Sequence, residues 1–295
     1  MKELIFRGRP FPLGPFPKIM GILNVTPDSF SDGGSVRPLS GRIRQLIDEG
    51  AEIIDIGGES TRPGASEVPV EEELKRVLPA VRAVREISDS VFISIDTRKA
   101  AVAEEALKLG ADLINDVSGF LFDPALAGVV ARTGAGAVIM HSRATPDRMQ
   151  KPEYLAYPDG LMESIVRELS GMVDHLLSAG VEKHSIILDP GIGFAKTAEQ
   201  SIELIRNSEK LLALGYPLLS GPSRKSFLGQ ITGEKEPSRR DYATCGVTIA
   251  SAAKGYSIIR VHNVKAAVDC LKVYFACMSP CRSWADASAF AHFQR

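Results

Sequence analysis

The sequence predicts a single-domain α/β protein, a (β/α)8 barrel of the TIM type, and three observations carry that prediction. Eight short apolar runs are spread along the chain: 19–23, 53–56, 91–95, 113–114, 137–140, 186–188, 217–219 and 257–261. Longer amphipathic stretches lie between them, many closed by a glycine suited to ending a helix (Gly50, Gly110, Gly180, Gly215 and Gly255). A polar residue follows or closes each run. Continuous apolar strands alternating with helices mean a parallel sheet covered on both faces. Eight such units favour closure into a barrel, although periodicity alone also permits an open doubly wound sheet.

The elements follow in order. Residues 1–17 carry Arg7, Arg9 and four prolines and read as an extended lead-in. The barrel is expected over 18–278, with helices at 41–49, 70–87, 100–109, 161–178, 198–214 and 240–254. The polar stretch 279–295, which holds the single tryptophan Trp284, is assigned no role. No repeat, low-complexity tract or linker divides the series. At 295 residues, 44% hydrophobic and 24% charged, the chain can bury a large core without staples. The net charge of −1 argues against nucleic acid or an anionic membrane surface as partner. Any anion must be held by a few placed cations. No segment resembles a secretory or membrane-spanning stretch, which predicts a cytoplasmic protein. Cys245, Cys270, Cys277 and Cys281 lack zinc-site spacing and are expected as free thiols.

The polar residues at the strand ends are Asn24, Asp55, Asp96, Asn115, His141, Asp189, Ser220, and Arg260 with His262. One polar group at each C-terminal strand end is how a barrel builds an active site. A single one could be a helix cap, but eight in succession point to a ligand. Two glycine-rich loops add to them. Asn24-Val-Thr-Pro-Asp-Ser-Phe-Ser-Asp-Gly-Gly34 is long for a strand–helix connection and suits a lid. Gly57-Gly-Glu-Ser-Thr-Arg-Pro-Gly64 can cradle a phosphate through backbone N–H groups and Arg62. The loop Asp189–Thr197 ends in Ala195-Lys196 and has Pro190 where a Walker loop needs glycine, so it is not a nucleotide P-loop. Arg224 and Lys225 open a helix against its dipole, a local conflict expected at a functional site.

Eight segments in this order resemble the dihydropteroate synthase family. They are Met20–Gly34, Asp55–Gly64, Ser94-Ile-Asp-Thr97, Ile114-Asn-Asp-Val-Ser-Gly119, Thr145-Pro with Met149-Gln150, Asp189-Pro-Gly-Ile-Gly-Phe194, Ser223-Arg-Lys-Ser226 and Arg260-Val-His262. Each is weak alone, and together they are specific. The wording Gly221-Pro-Ser-Arg-Lys-Ser-Phe227 with Arg260-Val-His-Asn263 is similar to eukaryotic members, which are usually fused to an upstream pyrophosphokinase domain that these residues do not include. Ala144, Ala195 and Asn263 depart from common family residues and affect loop detail only.

The resemblance implies condensation of 6-hydroxymethyl-7,8-dihydropterin diphosphate with 4-aminobenzoate, giving 7,8-dihydropteroate and pyrophosphate in folate biosynthesis. It implies that Asp96, Asn115 and Asp189 hold the pterin's pyrimidine edge, with Lys225 on the ring acceptors and Arg260 stacked on the ring. Thr61, Arg62, Arg260 and His262 would hold the diphosphate, and Asn24 would bind Mg2+. Phe30, Pro63, Phe194, Lys225 and Ser226 would form the aminobenzoate pocket. Asp32 would stabilise a cationic pterin methylene when the first loop closes, so Lys225, Arg260 and Asp32 are the expected catalytic residues, with no general base. A homodimer through the last helices and susceptibility to sulfonamides are also implied. Two other readings are a catalytically silent pterin-binding paralogue and a methyltetrahydrofolate:corrinoid methyltransferase. The first would bind pterin without releasing pyrophosphate; the second needs neither the first loop nor Ser223–Ser226.

Overall fold

The computed structural model describes residues 3–26, 39–62 and 64–278. All eight apolar runs form strands: β3 (Lys18–Asn24), β4 (Ile53–Gly57), β5 (Phe92–Asp96), β6 (Leu113–Asp116), β7 (Gly136–Met140), β8 (Ile186–Asp189), β9 (Leu219–Ser220) and β10 (Ile258–Val261). They make one parallel sheet in the order β8-β7-β6-β5-β4-β3-β10-β9. A parallel bridge between Leu188 and Leu218 joins the two ends and closes the barrel.

The expected helices appear as α1 (Leu39–Asp48), α2 (Val70–Ile87), α3 (Ala100–Lys108), α6 (Leu161–Ser178) and α10 (Asp241–Ala253). The stretch 198–214 divides at Asn207 into α7 (Ala198–Arg206) and α8 (Ser208–Leu212), where the Ser208 hydroxyl donates to the Lys254 carbonyl at 2.7 Å. The remaining helices are α4 (Leu126–Thr133), α5 (Pro152–Leu155), α9 (Ser226–Thr232) and α11 (Val264–Met278).

Side chains alternate along each strand, and the two sets join different cores. Ile54, Ile56, Ile93, Ile95, Ile114, Ile139 and Ile259 pack outward against the helices. Met20, Ile53, Leu113, Val138, Ile187, Leu219 and Ile258 pack together inside the barrel. That inner cluster is completed by Leu4, Phe6 and Phe11 from the N-terminal segment. The lead-in is therefore a structural plug. Residues Glu3–Phe6 (β1) and Arg9–Pro12 (β2) form an antiparallel hairpin across the N-terminal mouth. Its turn, Arg7-Gly8, has φ of +52° and +77°, the two left-handed residues of a hairpin turn whose twist matches the strands. Arg9 and Arg85 fasten this floor to Asp112 at 2.7 and 2.5 Å. The phenylalanines stopper this end, opposite the strand C-termini where the inward polar residues lie.

Candidate active site

At the C-terminal mouth the inward set turns polar. The parity that points Met20 and Ile22 inward also points Asn24 inward, and the same holds for Asp55, Asp96, Asn115, Asp189 and Arg260. Arg260 organises them. Its Nε donates to Asp55 Oδ2 at 2.6 Å and its Nη2 to Asp96 Oδ2 at 2.7 Å. Asn115 Nδ2 donates to the same Asp55 oxygen at 3.3 Å, while the buried Asp55 Oδ1 has no partner among the described residues. Asp55, a strand-end residue given no site role from sequence, is thus a core member: it is fully buried and anchors the guanidinium.

Burial raises the Asp96 carboxyl to about 7, against the opposing pull of Arg260 and with repulsion from Asp55 added. Burial likewise raises Asp189, countered by Lys225 and by the Gly191 N–H that donates to its Oδ1 at 2.8 Å. Lys225, at the N-terminal boundary of α9, is pushed down to about 8 by burial although Asp189 opposes this. Its Nζ donates to the Ile192 carbonyl and lies 4.3 Å from the centroid of the Phe194 ring. Lys225 and Asp189 both border Gly221: a Cβ there would lie 3.9 Å from Nζ and 3.7 Å from Oδ2.

The second region of the mouth lies beyond Arg260. The His262 N–H donates to Ser223 Oγ at 3.1 Å, and Ser223 Oγ lies 2.9 Å from His262 Nδ1. The serine hydroxyl accepts from the backbone N–H and can give its own proton to Nδ1, an arrangement that leaves the imidazole proton on Nε2. Burial and the charges of Arg224, Arg260 and Arg62 depress His262 to about 3, which keeps the ring neutral in the unliganded protein. Arg224, at φ +60°, is not in the ring but is held by Asp241 at 2.7 and 2.9 Å. Thr61 is half-buried and Arg62 exposed on the loop after β4; Ser226 is exposed at the start of α9.

Two strand-end residues depart from the expected ring. His141 and Ser220 have the outward parity: His141 meets Glu168 of α6 at 2.8 Å, and Ser220 meets Ser251 of α10 at 2.9 Å. Position at a strand end does not decide the facing side; the alternation does, and its phase becomes legible once the inner cluster is known. Phe30, Asp32 and Pro63 lie outside the described residues.

This geometry defines a class: a barrel with carboxylates, an amide and cations gathered at its C-terminal mouth, where barrel enzymes build their active sites. Comparison with known proteins narrows the class. The pterin binding enzyme family matches residues 20–262. A dihydropteroate synthase of Synechocystis is 47% identical over 258 residues, covering 86% of this chain and 88% of the relative. The structure of a Xanthomonas albilineans dihydropteroate synthase with 4-aminobenzoic acid aligns at TM-score 0.85 and 36% identity, over 94% of this chain and 98% of that one. A Yersinia pestis dihydropteroate synthase in a sulfonamide drug complex aligns at 0.85 and 40%, over 94% and 99%. The chain belongs to the dihydropteroate synthases, within the pterin-binding enzyme family. Its chemistry is accordingly the transfer of a pterinylmethyl group onto an aromatic amine.

Proposed function

We propose the following division of labour for the condensation of 6-hydroxymethyl-7,8-dihydropterin diphosphate with 4-aminobenzoate. The observation that carries it is the fork of Arg260 on Asp55 and Asp96, with Asn115 and Lys225 at the same mouth. Ionised Asp96 and Asp189 accept from the N–H groups of the aminopyrimidinone edge, and Asn115 meets its mixed donors and acceptors. Lys225 donates to the ring acceptors. The guanidinium of Arg260, held flat by two carboxylates, stacks on the ring. A group left unpaired in such a site costs about 1–3 kcal/mol, which rejects rings without this edge.

His262 Nε2–H, Thr61, Arg62 and Arg260 hold the diphosphate. The C–O bond to the leaving group breaks first, because the electron-rich pterin supports positive charge on its methylene, and Asp32 stabilises that cation. The aminobenzoate nitrogen then forms the new C–N bond and loses a proton to solvent. Phe194, Lys225 and Ser226 seat its ring together with Phe30 and Pro63, residues that leave the pocket open to sulfonamides.

Asn24 is the fitting protein ligand for Mg2+. Its amide oxygen borders Gly57 beside Asp96, where a Cβ would lie 3.8 Å from Asn24 Oδ1 and 3.7 Å from Asp96 Oδ2. The described residues contain no cluster of three His, Cys, Asp or Glu, which suits a hard dication that keeps waters and draws its other ligands from the substrate. When bound, the ion neutralises charge developing on the departing diphosphate.

We place this activity in one catalytic unit over residues 18–278, working in the cytoplasm as a homodimer through the last helices. No helix among the described residues is long and apolar enough to cross a membrane. Val273 and Met278 on α11 are 64% and 65% exposed, apolar surface that a second copy would cover.

The test is aminobenzoate-dependent release of pyrophosphate in Mg2+, with Lys225→Ala beside the wild type and micromolar sulfonamide as a third arm. Dihydropteroate formed by the wild type, with turnover lost in the variant and inhibited by the drug, is expected. Pterin binding without release would refute the catalytic assignments.

A further inference from the structure

Behind the site lies a buried polar circuit that the reaction does not consume. Lys196 is 4% exposed, and its Nζ meets His141, which has the outward parity. Its Nζ has three acceptors for its three protons: the Phe194 carbonyl at 2.9 Å, His141 Nδ1 at 3.0 Å and the His141 carbonyl at 3.3 Å. Because Nδ1 accepts, the His141 proton resides on Nε2 and is donated to Glu168 Oε2 at 2.8 Å. Burial and the charge of Lys196 hold His141 down at about 4, consistent with that neutral tautomer.

Glu168 is gripped by Arg143 at 2.5 and 3.1 Å. The Arg143 guanidinium lies 3.9 Å from the centroid of the Tyr157 ring. Tyr157 closes the circuit by donating its hydroxyl to the Ala195 carbonyl at 3.2 Å. Both ends of the circuit therefore hold consecutive carbonyls, those of Phe194 and Ala195. Ala195 is itself strained, at φ +47°.

The turn so held is the one that borders the site. Gly191 packs so closely on His141 that a Cβ would fall 2.0 Å from its carbonyl oxygen. From the front, Lys225 donates to Ile192 and lies against the Phe194 ring. The turn is clasped between two lysines, one in the mouth and one at its back.

We propose that Lys196 is a positioning residue for the aminobenzoate half of the site: through the Phe194 carbonyl it fixes the Phe194 ring against Lys225. Asp96, Asn115 and Arg260 of the pterin edge, with Asp55 behind them, stand on other strands. Asp189 and Lys225 touch this turn through the Gly191 N–H and the Ile192 carbonyl but are carried by β8 and the start of α9, so the pterin KM is expected to move little beside that of aminobenzoate. Burial lowers Lys196 to about 7, so its charge is costly where it stands, and a merely space-filling role would be served better by an apolar side chain. The inference rests on Phe194 lining the aminobenzoate pocket, and the experiment separates the two.

KM for each substrate and kcat are measured for Phe194→Ala, Lys196→Met and Lys196→Gln, with melting temperatures alongside. Methionine keeps the volume and removes every donor; glutamine restores one amide donor. For Lys196→Met the aminobenzoate KM should rise about tenfold or more, with the pterin KM within about twofold. Lys196→Gln should fall between this variant and the wild type. Unchanged KM values, or a parallel rise in both, in folded Lys196→Met would overturn the proposal. If that variant does not fold, Lys196→Gln decides by the same split, a rise of about threefold or more confined to aminobenzoate supporting the proposal and any other result overturning it. A Phe194→Ala variant with unaltered aminobenzoate KM would instead remove the pocket assignment beneath it.

Discussion

Replacing Arg260 by lysine keeps the positive charge and removes the fork. The guanidinium now serves Asp55 through Nε at 2.6 Å and Asp96 through Nη2 at 2.7 Å. A single ammonium on a flexible stem cannot reproduce that planar pair of bonds. If it stays with the fully buried Asp55, Asp96 loses its donor. One charge-assisted hydrogen bond is then lost, worth about 1.5–3 kcal/mol. That bond is present in the unliganded enzyme, so its loss is read as stability and lowers the melting temperature by about 3–12 °C, at roughly 2–4 °C per kcal/mol for a chain of this size. The kinetic loss is that of the guanidinium stacked on the pterin ring, about 0.5–2 kcal/mol, which at about 1.4 kcal/mol per decade predicts a fall in kcat/KM for the pterin substrate of roughly 2- to 30-fold.

Pyrophosphate release at varied pterin diphosphate, with calorimetry on the same preparation, reads both numbers. Arg85→Lys is the control. Arg85 is a comparable anchor for Asp112, but on the barrel floor, where it also donates to the carbonyls of Gly110 and Val91. It should lower the melting temperature and leave kcat/KM within about twofold. An Arg260→Lys enzyme as stable and as active as the wild type would show that the fork is incidental. Equal kinetic losses in both variants would show that the effect is global.

The pH dependence of kcat/KM for the pterin substrate should be bell-shaped, with its maximum between about 7 and 8. Below about 7 Asp96 takes up a proton and can no longer accept from both N–H groups of the ring edge; above about 8 Lys225 loses its charge. Asp96→Asn should abolish the acid limb, and a profile flat from pH 6 to 9 would contradict the assignment of either group. Sedimentation should find a dimer that a charged substitution at Val273 dissociates; a wild type sedimenting only at monomer mass would remove the homodimer assignment.

Much of this protein was legible from residues alone. The eight strands and their order could be read because a parallel strand buried on both faces is apolar throughout, and glycines punctuate the helices between. Asp96, Asn115, Asp189 and Arg260 could be picked out because a charge or amide at the end of such a strand is costly without a partner or ligand. What the sequence could not convey was the phase of the side-chain alternation around the closed barrel. His141 and Ser220 look the same in sequence as Asn115 or Asp189, yet they face the helices; only closure defines an inside. Nor could the residues 1–17, short and proline-rich, announce a hairpin plug, since Leu4, Phe6 and Phe11 form a stable face only against strands far along the chain. Asp55 and Lys196 follow the same rule. Each stands beside partners more than fifty residues distant, Arg260 for one and His141 for the other, and their roles come from contacts that exist only after the barrel has closed.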